Sequence, residues 1–200
     1  MKLPKSFYTR ADVAEIAKEL LGKYLVTQIN GGLTAGMIVE TEAYCGRDDK
    51  ACHANNGRRT KRTEIMFREG GKAYVYLCYG IHHLFNVVTN VDGLADAILI
   101  RGLEPVDGIK QMLERRKMKT PKMNLSAGPG ALSKALGITT DLYGQDLTGQ
   151  TIWIEDRGVE IETNNIISDK RVGVDYAGED ALKPWRFVIK DSRWMSKPRI

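Results

Sequence analysis

The chain has 200 residues, of which 42% are hydrophobic and 28% are charged, the proportions of an ordinary globular protein. No run of 18 or more apolar residues occurs, which excludes a transmembrane helix, and the amino terminus lacks the apolar stretch of a secretory signal. We therefore expect one domain over residues 1–200, in a soluble cytoplasmic or nuclear protein that is not secreted.

The net charge of +5 arises from 30 Lys and Arg residues against 25 Asp and Glu residues. The basic residues are unevenly distributed, with clusters at 57–62 and 115–122 and a basic tail carrying Arg193, Lys197 and Arg199. A solvated loop is the simple alternative for each cluster alone. Together the clusters suit a phosphate backbone and favour a nucleic-acid partner.

The three cysteines, Cys45, Cys52 and Cys78, are odd in number and lack C-x-x-C spacing, which argues against a disulfide framework. Together with His53 the three cysteines are conceivable zinc ligands, but the spacing between these residues matches no common zinc-binding pattern. We predict neither a metal nor any other cofactor.

The first predicted elements are a helix and a hairpin. Thr9 and Asp12 resemble a capping pair that opens an amphipathic helix, which Gly22 terminates. Strands at 24–29 and 33–44 flank Asn30-Gly-Gly32, whose residues tolerate the positive φ angles of a tight turn.

After residue 44 the chain mixes strands and helices without regular alternation. A polar loop at 45–71 is long enough to be functional. Because the strands cluster, we predict an α+β fold in one domain, with a mostly antiparallel curved sheet, peripheral helices and a protruding β-hairpin. The predicted strands are 73–78, 84–89, 97–101, 151–155, 171–174 and 185–190, and the predicted helices are 105–116 and 130–136.

The strand at 38–44 carries two carboxylates and an aromatic ring on one face. Strand side chains alternate, so Glu40, Glu42 and Tyr44 share a face opposite an apolar row. Taken alone, this pattern is also typical of a half-exposed strand with solvated acids.

The Tyr-rich segment Tyr74-Val-Tyr-Leu-Cys-Tyr-Gly80 makes a functional interpretation more attractive. Tyr79-Gly80 falls between two strands, which places the Tyr79 ring at a hairpin tip, either folded back on the sheet or inserted between bases. Tyr74 and Tyr76 share a strand face, and at least one of them is expected to line a cavity behind that tip.

Three further polar residues have both structural and functional interpretations. Arg101 ends an apolar strand and needs a partner, for which Glu42 across the sheet is a candidate and solvent the alternative. Asn86 alternates with apolar residues and is either structurally satisfied or faces a ligand. His53, in the long loop, would most often be a surface histidine.

Taken together, several ordered motifs resemble the alkyladenine (3-methyladenine) DNA glycosylase family over about residues 8–195. The motifs are Val39-Glu-Thr-Glu-Ala-Tyr44, His53, Tyr76-Leu-Cys-Tyr-Gly80, Asn86, Leu99-Ile-Arg-Gly-Leu-Glu-Pro105, Ser126-Ala-Gly-Pro129 and Arg171-Val-Gly-Val174.

The resemblance implies a hydrolase of base-excision repair. Such an enzyme acts on damaged double-stranded DNA, flips out alkylated or deaminated purines and excises them hydrolytically. We expect a monomer, which fits a protein that must search duplex DNA. No lysine stands in the acid row for a Schiff base, so we predict a monofunctional glycosylase that leaves an abasic site.

Site roles are also implied by the resemblance. Glu42 would be the general base for the attacking water and Arg101 would help to hold both. Tyr79 would be the intercalating wedge, and Tyr44, His53 and Tyr76 would enclose the flipped base. Asn86 would be a pocket gate against guanine-type amino groups, and Leu99 would form a pocket wall.

Two departures from the family pattern and two other functions remain open. Ala131 stands where the family often has lysine, so that one phosphate contact is either missing or supplied by Lys134. Cys45 and Cys52 occupy positions expected to be apolar or small. A non-catalytic nucleic-acid-binding module resembling the formyltransferase carboxy-terminal domain is the main alternative. A nucleoside hydrolase is a third, although the Asp-rich calcium site typical of that class is absent from the sequence.

Overall fold

The computed structural model describes residues 1–199, and within them eight strands form one curved sheet in which every pair is antiparallel. The strands are β1 (Tyr24–Ile29), β2 (Gly32–Tyr44), β3 (Ala73–Cys78), β4 (His82–Thr89), β5 (Asp96–Asp107), β6 (Ile152–Glu155), β7 (Ile166–Asp169) and β8 (Arg186–Ile189). The α-helices are α1 (Lys5–Tyr8), α2 (Val13–Glu19), α3 (Ile109–Arg116) and α4 (Pro129–Leu136). The predicted α+β fold is confirmed.

The sheet is organised around β2, which is 13 residues long. The strand order is β3-β4-β5-β2-β1-β6, and β8 joins the β1 side of β2, pairing in turn with β7. One side of β2 thus pairs with β1 over residues 32–37 and with β8 over residues 40–42. The second half of β2, where the predicted acid row lies, is flanked by β5 and β8.

The first hairpin forms as predicted because Asn30 and Gly31 adopt φ angles of 52° and 75°. Helix α2 begins after Asp12, whose carboxylate accepts hydrogen bonds from the amides of Ala14 and Glu15. The short helix α1 was not predicted.

Helix α2 also decides which face of β2 is covered. The Thr41 hydroxyl donates a 2.8 Å hydrogen bond to the Ala17 carbonyl of this helix. Thr41 therefore points towards α2, and Glu40 and Glu42 point to the opposite face. That opposite face is where the cavity described below lies.

One predicted helix begins later than expected, and one predicted strand was wrong. Residues 105–107 continue β5, and α3 starts only at Ile109 because Gly108 turns the chain with a φ of 69°. Residues 171–174 do not form a strand, since Gly173 takes a φ of 74° and bends the segment towards β2. The last sheet edge is instead β7, immediately before this bend.

The long loop at 45–71 is ordered by a small apolar core of its own. It contains 3-10 helices at Asn55–Gly57 and Glu64–Phe67. Cys52, Met66 and Phe67 of the loop pack against Tyr74 of β3 and Val88 of β4. Within residues 1–199, no helix is both long and apolar enough to cross a membrane.

Candidate active site

A cavity of about 390 Å³ opens beside the β3–β4 hairpin. This volume lies in the range of roughly 300–1,000 Å³ that small-molecule sites occupy. Its walls come from the strands β2 to β5, from the loop at 45–71 and from the bent segment after β7. The lining residues with polar or aromatic side chains are Tyr44, Cys52, His53, Arg62, Tyr74, Tyr76, Cys78, Tyr79, Asn86, Arg101 and Tyr176.

Aromatic rings form one side of the cavity. The His53 ring meets Tyr76 edge to face at 4.8 Å between centroids, and Tyr74 lies 5.4 Å from Tyr76. The His53 Nδ1 atom hydrogen bonds the Tyr74 hydroxyl at 2.8 Å. Burial, with help from Arg62 and Arg58, lowers the pKa of His53 to about 4, so the imidazole is neutral at neutral pH.

Glu42 lies fully buried directly beneath the cavity wall. Its carboxylate accepts hydrogen bonds from the Tyr44 hydroxyl at 2.7 Å, the Val172 amide at 2.8 Å and the Arg101 Nη1 atom at 3.4 Å. These three donors line the cavity, whereas Glu42 itself does not. The Glu42 carboxylate is thus separated from the cavity by groups that line it.

Tyr44 stays protonated in this arrangement. Burial and then the neighbouring Glu42 carboxylate raise the pKa of its hydroxyl well above the ordinary value. The hydroxyl is therefore a hydrogen-bond donor to Glu42 across the whole neutral range.

Arg101 reaches this site through an irregularity in the sheet. The register pairs Thr41 with Ile100 but Glu40 with Gly102, so Arg101 is an extra residue without a partner in β2. Such a bulge redirects a side chain and is frequent beside active sites. Burial alone would lower the pKa of the guanidinium, but the carboxylates of Glu42 and Glu40 raise it, so Arg101 remains charged.

Tyr79 stands at the tip of the β3–β4 hairpin, as predicted, and its side chain is 93% exposed. Both Tyr79 and Gly80 have positive φ angles, 49° and 71°. A bulky residue in this region is uncommon and costs on the order of 1–3 kcal/mol, which directs attention to function. The ring is not folded back on the sheet, so that alternative is wrong.

Asn86 and Leu99 face each other across the β4–β5 pair and both line the cavity. Asn86 is buried, and its Nδ2 atom donates to the Tyr74 carbonyl at 3.1 Å. The NH2 group of the Asn86 amide is therefore hydrogen-bonded to the backbone of β3, which fixes the side chain at the cavity wall.

Sequence reasoning missed the wall formed by residues 172–174 and Tyr176. This wall is held by a buried ion pair, because Arg171 donates to Asp49 at 2.5 and 2.8 Å. The one local signal was Gly173, which marks a bend in a segment that otherwise has the composition of a strand.

The cysteines do not gather around a metal. Cys52 lines the cavity, whereas Cys45 packs in the main core. In the part of the chain that the structure describes, no group of three or more His, Cys, Asp or Glu side chains is arranged to hold a metal ion.

Comparison with known proteins places these features in a family context. A family model described as methylpurine-DNA glycosylase matches residues 6–193. A protein of Natranaerobius thermophilus is 44% identical over 197 residues, covering 98% of this chain and 99% of its own length. Proteins of Chlamydia felis and Alkaliphilus oremlandii are 47% and 46% identical, covering 94% and 98% of this chain and 95% and 100% of their own lengths. All three bear the name "Putative 3-methyladenine DNA glycosylase".

Proposed function

The chain belongs to the methylpurine-DNA glycosylase family, and from that membership we propose that it flips damaged purines out of duplex DNA and excises them by hydrolysis. The substrates are alkylated or deaminated purines such as 3-methyladenine, 7-methylguanine, hypoxanthine and ethenoadenine. The observation that carries the proposal is a buried carboxylate, Glu42, held beneath an aromatic cavity that opens at a hairpin tip.

Glu42 acts as the general base in this proposal. It takes a proton from a water molecule that enters between Tyr44, Arg101 and Val172, and the resulting hydroxide bonds to the C1′ atom of the sugar. The purine leaves with the electron pair of the broken N-glycosidic bond, as a neutral base if it was cationic, and a neutral lesion takes up a proton from solvent. Cleavage of the N-glycosidic bond gives the sugar oxocarbenium character, which a nearby carboxylate also stabilises. Arg101 helps to hold both the water and the carboxylate.

The aromatic walls suit a purine base. Tyr44, His53 and Tyr76 enclose the flipped base, with the His53 amide contacting its edge and Leu99 forming the wall nearest the wedge. Electron-rich rings attract cationic alkylated purines by roughly 0.5–2 kcal/mol. No lysine is among the cavity-lining residues of the described chain, which supports hydrolysis by water over a Schiff base and hence a monofunctional enzyme.

The hairpin and the basic loops account for binding to DNA. Tyr79 inserts into the stack and fills the space that the flipped nucleotide leaves. Arg62, whose guanidinium lies 5.3 Å from the Tyr76 ring centroid, brings the basic cluster at 57–62 to the cavity mouth. The protein searches duplex DNA as a monomer.

The wedge role predicts weaker binding for Tyr79→Ala. Loss of base–aromatic stacking should weaken binding to a lesion-containing duplex by about 1–3 kcal/mol. Fluorescence anisotropy with labelled duplexes measures the effect, and Tyr79→Phe, which keeps the ring, should retain most of the affinity. An affinity of Tyr79→Ala equal to that of the wild type would refute the wedge.

The gate role predicts a changed substrate spectrum for Asn86→Ser. The shorter side chain leaves room for the amino group of a guanine-type base, which we expect the wild-type amide to disfavour. Release of 7-methylguanine relative to hypoxanthine should therefore increase, as measured by chromatography of the freed bases. If the ratio does not change, Asn86 is a structural residue only.

A further inference from the structure

A second carboxylate, Glu40, is fully buried directly behind Arg101. Its Oε1 atom accepts hydrogen bonds from the Nε atoms of Arg101 at 3.0 Å and Arg186 at 2.8 Å. When Glu42 is included, these contacts join two buried carboxylates to two buried guanidinium groups, and Arg186 also lies 3.9 Å from the partly exposed Asp169. The charges of the four buried groups balance, as a buried ionic cluster requires.

The carboxy-terminal segment 192–198 completes this cluster. The Ser196 amide donates to Glu40 Oε2 at 2.6 Å, and the Ser196 hydroxyl donates to Glu40 Oε1 at 2.8 Å. The same hydroxyl accepts a 3.1 Å hydrogen bond from Arg101 Nη2. A single serine therefore bridges the carboxylate and the guanidinium.

Close packing against the sheet holds the segment 192–198 in place. Trp194 is buried in the main core. A Cβ atom on Gly102 would lie only 2.7 Å from the Trp194 carbonyl oxygen, so glycine beside Arg101 is needed for the segment to approach β5. Arg186 also holds the segment through the Pro198 carbonyl at 2.8 Å.

The Arg101 guanidinium lies closer to the Glu40 carboxylate than to the Glu42 carboxylate. Arg101 approaches Glu40 to 3.0 Å, whereas its contacts with Glu42 are 3.4 Å long. A strong bidentate pair with Arg101 would occupy both oxygens of the Glu42 carboxylate. Glu40 and Ser196 keep the guanidinium close to Glu42 without such a pair.

We propose that Glu40 and Ser196 are positioning residues, and that the carboxy-terminal segment completes the catalytic centre by fixing the Arg101 guanidinium relative to Glu42. The inference rests on the proposed function of Glu42 and Arg101. It assigns a role in the chemical step to a part of the chain that lines no wall of the cavity.

The test variant is Ser196→Ala, which removes one bridging hydroxyl and leaves the amide contact with Glu40 in place. Single-turnover excision from a lesion duplex should slow by about tenfold, as expected for a lost positioning hydrogen bond. The Kd for a duplex with a stable abasic-site analogue should stay at the wild-type value, because the hydroxyl does not reach the cavity. Ser196→Thr, which keeps the hydroxyl, should restore most of the rate.

The matched control is Thr41→Val, on the same strand as Glu40 but on the face that packs against α2. It loses one buried hydrogen bond, where Ser196→Ala loses two. Its excision rate should equal that of the wild type, and thermal melting establishes that both variants are folded at the assay temperature. An equal fall in rate for Thr41→Val and Ser196→Ala, or a wild-type rate for Ser196→Ala, would overturn the positioning role. Failure of the wild type to excise any purine would instead overturn the proposed function, and this inference with it.

Discussion

Glu42→Gln should lose at least about 100-fold in the single-turnover rate of purine release, the usual scale for removal of a general base. The amide has the shape of the carboxylate, and with its oxygen in the place of Oε1 it still accepts from the Val172 amide, while its NH2 group can donate to the Tyr44 hydroxyl oxygen. What it cannot do is take a proton from water. The measurement is release of hypoxanthine or ethenoadenine from a duplex oligonucleotide, followed by alkaline cleavage at the abasic site.

Glu104→Gln is the control for the change in charge. Glu104 is exposed on β5 and lines no part of the cavity, so its substitution should leave the rate unchanged. Equal release by wild type and Glu42→Gln would refute the assigned base. If neither protein releases a base but both bind DNA in a steeply salt-dependent way, the chain is a nucleic-acid-binding module.

Among the single substitutions proposed as tests, Asp49→Ala should cause the largest loss of stability, about 3–5 kcal/mol in the free energy of unfolding. Asp49 and Arg171 are both fully buried, and the Arg171 guanidinium lies between the rings of Tyr44 and Trp185 at 4.8 and 5.4 Å. Removing the carboxylate leaves a buried charge without its partner. Urea denaturation of the purified variant measures the loss.

The exposed pair between Arg10 and Glu19 offers a control for this prediction. Glu19→Ala should cost less than about 1 kcal/mol, because solvent screens an exposed ion pair. The double variant Asp49→Leu/Arg171→Met should lose less than Asp49→Ala, since it leaves no unpaired charge. A cost for Asp49→Ala as small as that for Glu19→Ala would show that the buried pair contributes little.

Excision should also fall in Asp49→Ala molecules that remain folded. Arg171 precedes Val172, whose amide donates to Glu42, so loosening Arg171 loosens one of the three contacts that hold the carboxylate. The rate is therefore measured at a temperature well below the melting transition.

Much of the fold was predictable because its signals are local. Asn30-Gly31 predicted the first hairpin, and the period-two pattern of β2 placed Glu42 and Tyr44 on one face. Tyr79 before a glycine, between two strand-like runs, predicted an aromatic ring at a hairpin tip. The functional roles of these residues remain predictions until the variants are measured.

The site as a whole could not be read from local patterns. The sequence suggested that Glu42 was the partner of Arg101, yet the shortest contact of Arg101 is with Glu40. It suggested a strand at 171–174, where the chain instead bends and places an amide on Glu42. In both cases the deciding contact joins segments that are far apart in the chain.

The sequence by itself determined the antiparallel α+β class and the family, because these follow from periodicity, turn residues and motif order. Only the tertiary structure decided how the acids are partnered. Strand register and packing between distant segments decide three features. These are the bulge at Arg101, the Asp49–Arg171 pair across 122 positions, and the contact of Ser196 with Glu40, 156 positions earlier in the chain. Alternation along a strand specifies the face that a side chain occupies, but it carries no information about which distant group will meet it there.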